Sequence, residues 1–168
     1  ILTPMIDNAL TIVKKLPPDM MQSFFQSKLA GTPLNKYLGN KEQGYIFGWK
    51  QLPDKGEKLF ITGGEKDVLR LAAQGFNAIS LNSETATLEK ALADELKLRF
   101  KHIIVLYDND ATGLKQSELL AVAHGFNKIT LPAIPNNGKD ISDYFASRGS
   151  LSAFDELLSA SLQAPPPE

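Results

Sequence analysis

From Lys58 onward the chain alternates short apolar runs with longer amphipathic stretches. Lys58–Thr62 (KLFIT), Ala78–Leu81, His102–Tyr107 and Lys128–Leu131 are the apolar runs, and their length and composition predict strands. Ile103–Leu106 is apolar without interruption, as a parallel strand buried on both faces should be. Between the runs, Glu65–Gln74, Thr85–Phe100 and Ala111–His124 predict helices, with Ser83 or Thr85 as cap of the second. Asp140–Ser147 and Leu151–Leu162 predict two closing helices, the last made amphipathic by Leu151, Phe154, Leu157, Leu158 and Leu162. Helices of roughly 10–16 residues joined to strands by short loops are the signature of a parallel sheet with helical crossovers, an α/β fold. Gly-Phe-Asn recurs at 75–77 and 125–127, where a helix hands over to a strand: the glycine caps in the left-handed region and the phenylalanine packs inward.

Residues 1–56 are less regular. Ile6–Leu16 predicts a short helix stopped by Pro17-Pro18. Pro18 and Asp19 open another, with Met20, Met21, Phe24, Phe25 and Leu29 on an apolar face and Gly31 beyond its end. Tyr45, Ile46, Phe47 and Trp49 form an aromatic, strand-like run, read as an added strand or hairpin packed on the main domain; exposed, it would stack bases instead. Pro53-Asp54-Lys55-Gly56 is a turn and the boundary. The expected organisation is an N-terminal extension over 1–56, the α/β domain over 57–148, and a C-terminal helix with a proline-rich tail over 149–168.

Composition narrows the chemistry. The chain has 168 residues, 43% of them hydrophobic, and a net charge of −1, so any nucleic-acid contact must come from a local patch. A candidate is Lys97, Arg99, Lys101 and His102, otherwise a solvated helix end. There are no cysteines and only two histidines, which removes disulfides, thiolate zinc sites and histidine-rich metal sites. No apolar run approaches the ~18 residues of a membrane span and no signal peptide is visible, so a cytoplasmic setting is expected. The chain begins at Ile1 without methionine and ends in prolines, as expected of a segment of a longer protein.

The chemistry-bearing residues gather at strand ends. The third strand delivers Asp108 and Asp110, one residue apart. Glu65 and Asp67 follow the first strand, and Asp140 and Asp143 follow the fourth. In a parallel sheet all carboxyl ends share one edge, where open α/β sheets place their ligands. Taken singly, each acid reads as a helix cap or a first-turn acid favoured by the helix dipole. Taken together, repelling carboxylates on one edge call for a hard divalent cation such as Mg²⁺.

The stretches LFITGGEKDVLRLAAQGFNAISL, HIIVLYDNDATGLKQSELLA and KITLPAIPNNGKDISDYF, over about Lys58–Phe145, together resemble the Toprim domain. More narrowly, they resemble that of primases and primase-helicases of phages and mobile elements. The resemblance implies a Rossmannoid three-layer fold with a central parallel sheet of four strands flanked by helices. It implies Mg²⁺ or Mn²⁺ on the Asp-x-Asp pair, here Asp108 and Asp110, with Asp140 matching a later acid and Asp143 nearby. It implies phosphodiester chemistry: primer synthesis in primases, strand cleavage and rejoining in topoisomerases, hydrolysis in related nucleases. Here the expectation is a fragment of a DNA primase-like protein acting in replication of a mobile element. DNA and nucleotides are its partners, with flanking zinc-binding or helicase domains, and Lys66 and Lys139 stand ready for phosphate.

One position departs from the family. Its first motif places the proposed acid/base, a glutamate, where this chain has Gly63. Glu65 can swing in, Glu84 in Asn82-Ser83-Glu84-Thr85 can substitute, or the domain binds metal and nucleic acid without catalysing anything, a degenerate DNA-binding module. A different class competes on Asp108-Asn109-Asp110-Ala111-Thr112, which fits the nucleophile motif of haloacid-dehalogenase-like phosphatases. That motif belongs on the first strand with a long chain after it, and here it lies on the third. A P-loop is excluded, because Gly63-Gly64-Glu65-Lys66 lacks the spacing and puts an acid in the loop.

Overall fold

The computed structural model describes residues 45–81, 83–147 and 149–164. The helices expected over Ile6–Leu16 and after Pro18, and the proline tail, lie outside the described residues. Strands β1 (Gly56–Thr62), β2 (Asn77–Ser80), β3 (Phe100–Leu106) and β4 (Asn127–Lys128) form one four-stranded sheet in the order β2-β1-β3-β4. Every pairing is parallel. The helices are α1 (Glu65–Ala72), α2 (Lys90–Arg99), α3 (Ala111–His124), α4 (Ile141–Ala146) and α5 (Leu151–Gln163).

The two-residue period of the central strands sorts their side chains into two cores. Phe60, Ile104 and Leu106 face one side, where Val68 and Leu71 of α1, Ile141 and Tyr144 of α4, and Phe154 and Leu158 of α5 cover them. Leu59, Ile61, Ile103 and Val105 face the other, against Ala93 and Leu96 of α2 and Leu120 and Ala121 of α3. Phe154 is fully buried and its ring lies 5.8 Å from those of both Phe60 and Phe76. Burying one such side chain contributes about 1.5–3 kcal/mol. The result is the expected three-layer α/β domain with its central parallel sheet. Among the described residues, no helix is long and apolar enough to cross a membrane.

Three elements differ from expectation. The second helix starts at Lys90 rather than Thr85. Ser83 and Thr85 cap nothing there; their hydroxyls bond each other at 3.0 Å, and the Ala86 N–H closes a turn on the Ser83 carbonyl. Threonines at 85 and 87 disfavour helix, and buried Leu88 anchors this irregular segment. The fourth strand pairs only through Asn127 and Lys128, not to Leu131. Beyond it Pro132 has no N–H for a ladder, and the Leu131 carbonyl accepts from the Asn109 side chain at 2.8 Å. The aromatic run makes a single antiparallel bridge, Phe47 to Ser80, before a 3-10 turn at Trp49–Gln51. Phe47 is 2% exposed, so it packs in the core and cannot stack bases.

Candidate metal centre at the carboxyl edge of the sheet

The tip of β3 is built by its own sequence. Tyr107 continues the strand into the core, and Asp108 is the first residue to reach the edge. Asp110 caps α3, its Oδ1 accepting from the Gly113 N–H at 2.9 Å. Gly113 lets the first turn of α3 press on the strand tip: a Cβ there would lie 2.1 Å from the Asp108 carbonyl oxygen. The Asn109 N–H donates to the Lys139 carbonyl at 2.6 Å, which ties this tip to the segment entering α4.

Two helix starts complete the edge. Asp67, in the first turn of α1, is 5% exposed and accepts from the Ser142 hydroxyl at 2.7 Å and the Ser142 N–H at 3.3 Å. Asp140 caps α4, its Oδ1 accepting from the Asp143 N–H at 2.8 Å. Asp67, Asp108 and Asp140 thereby each bring one carboxylate oxygen within 4.8 Å of the other two. Three elements that follow three different strands contribute one acid each.

Lysines hold this charge in place. Lys139 Nζ lies 2.7 Å from Asp108 Oδ2 and 3.0 Å from Asp110 Oδ2. Lys66 Nζ lies 2.7 Å from Asp140 Oδ2 and 3.9 Å from Asp143 Oδ1. The bonds to Asp108 and Asp110 raise the Lys139 pKa. Burial works to lower Lys66, but its hydrogen bond to Asp140 and the charges of Asp140, Asp67 and Asp143 raise it on balance. Asp110 is lowered, first by the Gly113 N–H and then by Lys139. Asp67 goes the other way: burial, then the charge of Asp140, push it up to about 7.

The donor set fits a hard divalent cation. It consists of carboxylate oxygens without sulfur or imidazole, the ligands of Mg²⁺ and Mn²⁺. Burial first, and then the charge of Asp140, disfavour the ionised form of Asp67, and a cation bound there would favour it.

The sequence-predicted residues divide. Asp108 and Asp140 lie in the triad, while Asp110 caps a helix and holds Lys139. Asp143 accepts from the Lys139 N–H at 3.0 Å. Glu65 opens α1 and is not one of the three gathered acids. Glu84 reaches the tips of β1 and β3, with Oε1 3.4 Å from the Asp108 N–H. The basic patch belongs to the opposite edge, where β3 begins. There Arg99 bonds the Leu52 and Pro53 carbonyls and stacks on Trp49, Lys97 lies over Phe126, and Lys101 pairs with Glu57. Asp67 was counted in the sequence among the acids of this edge, but Asp110 and not Asp67 was named there as the ligand beside Asp108 and Asp140. The signal for Asp67 was available: it lies four residues before buried Leu71 and one before buried Val68, which puts a carboxylate on the apolar stripe of α1.

The family described as Toprim-like matches residues 60–145, half of the chain. The chain belongs to this family. Its fold is similar to that of solved primase structures. One match is the bacteriophage T7 assembly in which the lagging-strand DNA polymerase interacts with primase domains bound to an RNA/DNA hybrid and dTTP. The two are 25% identical with a TM-score of 0.52, over 77% of this chain and 65% of that one. The Aquifex aeolicus primase, comprising zinc-binding and RNA polymerase domains, matches at 24% identity and TM-score 0.55, over 72% of this chain and 30% of that one. The E. coli primase catalytic core matches at 21% identity and TM-score 0.50, over 72% and 39%. The chain covers less than two thirds of each of these structures. No curated protein sequence matches it significantly.

Proposed function

We propose that this chain carries out divalent-metal-dependent nucleotidyl transfer on DNA, as part of a DNA primase-like protein replicating a mobile element. The observation that carries the reading is the convergence of Asp67, Asp108 and Asp140 to within 4.8 Å on one sheet edge. These three residues would hold Mg²⁺ or Mn²⁺. Bound there, such a cation polarises phosphate oxygens and offsets the charge that develops as a phosphodiester bond forms or breaks. Asp110 and Gly113 fix the backbone of Asp108 through the α3 cap, and Ser142 orients Asp67. Lys66 and Lys139 are 57% and 51% exposed, so their ammonium groups can leave the aspartates and meet a substrate phosphate. The substrates are nucleotides and a DNA template, and the working assembly includes flanking zinc-binding or helicase domains in the cytoplasm.

Primer synthesis and nuclease assays with Mg²⁺ or Mn²⁺, on wild type and Asp108→Ala, test the reading. It predicts synthesis that the substitution abolishes. Cleavage abolished by the same substitution would make the protein a Toprim nuclease. Salt-sensitive DNA binding without turnover in either assay would overturn the catalytic reading in favour of a degenerate binding module, the alternative that Gly63 raises.

A further inference from the structure

Gly63 directly follows β1, whose last residue, Thr62, pairs with Leu106 at the end of β3. Its backbone is not in the left-handed region, so conformation does not call for glycine. Space does. A Cβ on residue 63 would lie 2.5 Å from Glu84 Oε1, 3.0 Å from Glu84 Cγ and 3.1 Å from Cδ. Real Cβ atoms essentially never approach a neighbour more closely than 3.0 Å. A side chain at 63 and the Glu84 carboxylate therefore compete for one volume, and in this chain Glu84 has it.

We propose that Glu84 lends the metal centre, from the β2–α2 connection, the carboxylate that residue 63 lacks. The proposal rests on the reading of Asp67, Asp108 and Asp140 as a divalent-cation site. Three observations support it. Glu84 Oε1 faces the Asp108 N–H at 3.4 Å, so it stands at the strand tip that carries the central ligand. The late start of α2 at Lys90 leaves residues 83–89 as a loop that can carry the side chain over β1. The charged groups that Glu84 feels are those of the site: Asp108, Asp110 and Lys139. Glu84 acts here as a positioning residue. It fixes the Asp108 backbone and adds negative charge beside the triad, and the glycine at 63 is the steric condition for that placement.

Mn²⁺ titration, followed through the electron paramagnetic resonance of the free ion, tests this without any turnover. The full chain is compared with G63A, E84A, E84Q, G63A/E84A, G63E/E84A and D108N, each checked for folding by thermal melt. E84A and E84Q are expected to weaken Mn²⁺ by about tenfold, the loss typical of removing a partner that orients a ligand. G63A is expected to weaken it similarly by displacing the carboxylate. The double variant G63A/E84A should then be no worse than E84A, because both changes remove the same interaction. G63E/E84A should recover part of the loss by restoring a carboxylate from β1. Unchanged affinity in E84A and E84Q, or full additivity of G63A and E84A, overturns the proposal. D108N separates the levels: if it loses Mn²⁺ while E84A and E84Q do not, only the role of Glu84 fails. If D108N binds Mn²⁺ as wild type does, the underlying metal site fails.

Discussion

β1 and β3 are adjacent, parallel and equally buried, yet they finish differently. β3 runs straight into Asp108, and the residues that fix Asp108 follow within five positions: Asp110 caps α3 and Gly113 admits it. β1 runs into Gly63 and Gly64, with no side chain at its tip, and Glu84 occupies the space from another loop. The β3 tip carries its acid, cap and glycine in one stretch of sequence, while the space at the β1 tip is filled from a distant loop. On the proposal above, the carboxylate missing at residue 63 comes from Glu84 instead. A motif that looks broken along the sequence can be whole at the sheet edge.

Changes at the β3 tip are expected to have the larger effects. Asp108→Ala should lower any metal-dependent turnover by about 10²–10³-fold, as loss of a group stabilising transition-state charge does. Steady-state kinetics at saturating Mg²⁺ measures this, and turnover within about threefold of wild type would count against it. Gly113→Ala should come next. Its methyl would press on the Asp108 carbonyl, with an overpacking cost of about 1–3 kcal/mol. Urea unfolding gives that cost, and a parallel loss of Mn²⁺ affinity would tie it to the metal site.

Asp67→Asn should act in the opposite sense on stability. Folding raises the Asp67 pKa to about 7, against about 3.9 in an unfolded chain. Between those values the folded state binds more protons, so stability falls as pH rises from about 4 to 7 and levels off above. Asparagine removes this slope while its side-chain oxygen still accepts from Ser142. Without divalent cations the variant should be more stable than wild type by about 1–3 kcal/mol at pH 8, and little different near pH 4. Unfolding curves at the two pH values check this; an equal gain at both would place the effect elsewhere. Mn²⁺ should stabilise wild type and not the variant.

The smallest effect is expected at the exposed end of the ion-pair network. Lys139 is half exposed, so its pairs with Asp108 and Asp110 are worth under about 1 kcal/mol to the fold. Lys139→Ala should leave the melting temperature nearly unchanged and tighten Mn²⁺ binding at low salt, because a competing cation is gone. DNA binding should weaken in the same variant if Lys139 serves phosphate.

Much of the β3 side of this comparison was legible in the sequence, because strand, acids, cap and glycine occupy one continuous stretch. The four-stranded parallel sheet was legible for a similar reason: each crossover helix follows its strand directly. Asp140 was visible as a cap at the next strand's exit. What stayed hidden depends on long-range packing. Asp67 reads locally as a helix-start acid, and only Ser142, far along the chain, shows that it turns inward. That Glu84 fills the space beside Gly63 is a matter of volume, which no spacing encodes. The helix expected from Thr85 gave way to a loop because Ser83, Thr85 and Leu88 each found a better local or core partner. Of the basic patch, Arg99 is held by the Leu52 and Pro53 carbonyls and the Trp49 ring, and Lys97 lies over Phe126, partners that only the fold brings near.

Asp67, Asp108 and Asp140 bring carboxylate oxygens within 4.8 Å of one another, close enough to share one cation. Anomalous diffraction from a crystal of the chain soaked with Mn²⁺ tests that sharing most directly. A single strong peak in contact with Asp67, Asp108 and Asp140, lost in crystals of Asp108→Asn, is the expected result. No peak there at saturating Mn²⁺, or a peak held by other residues, would contradict it.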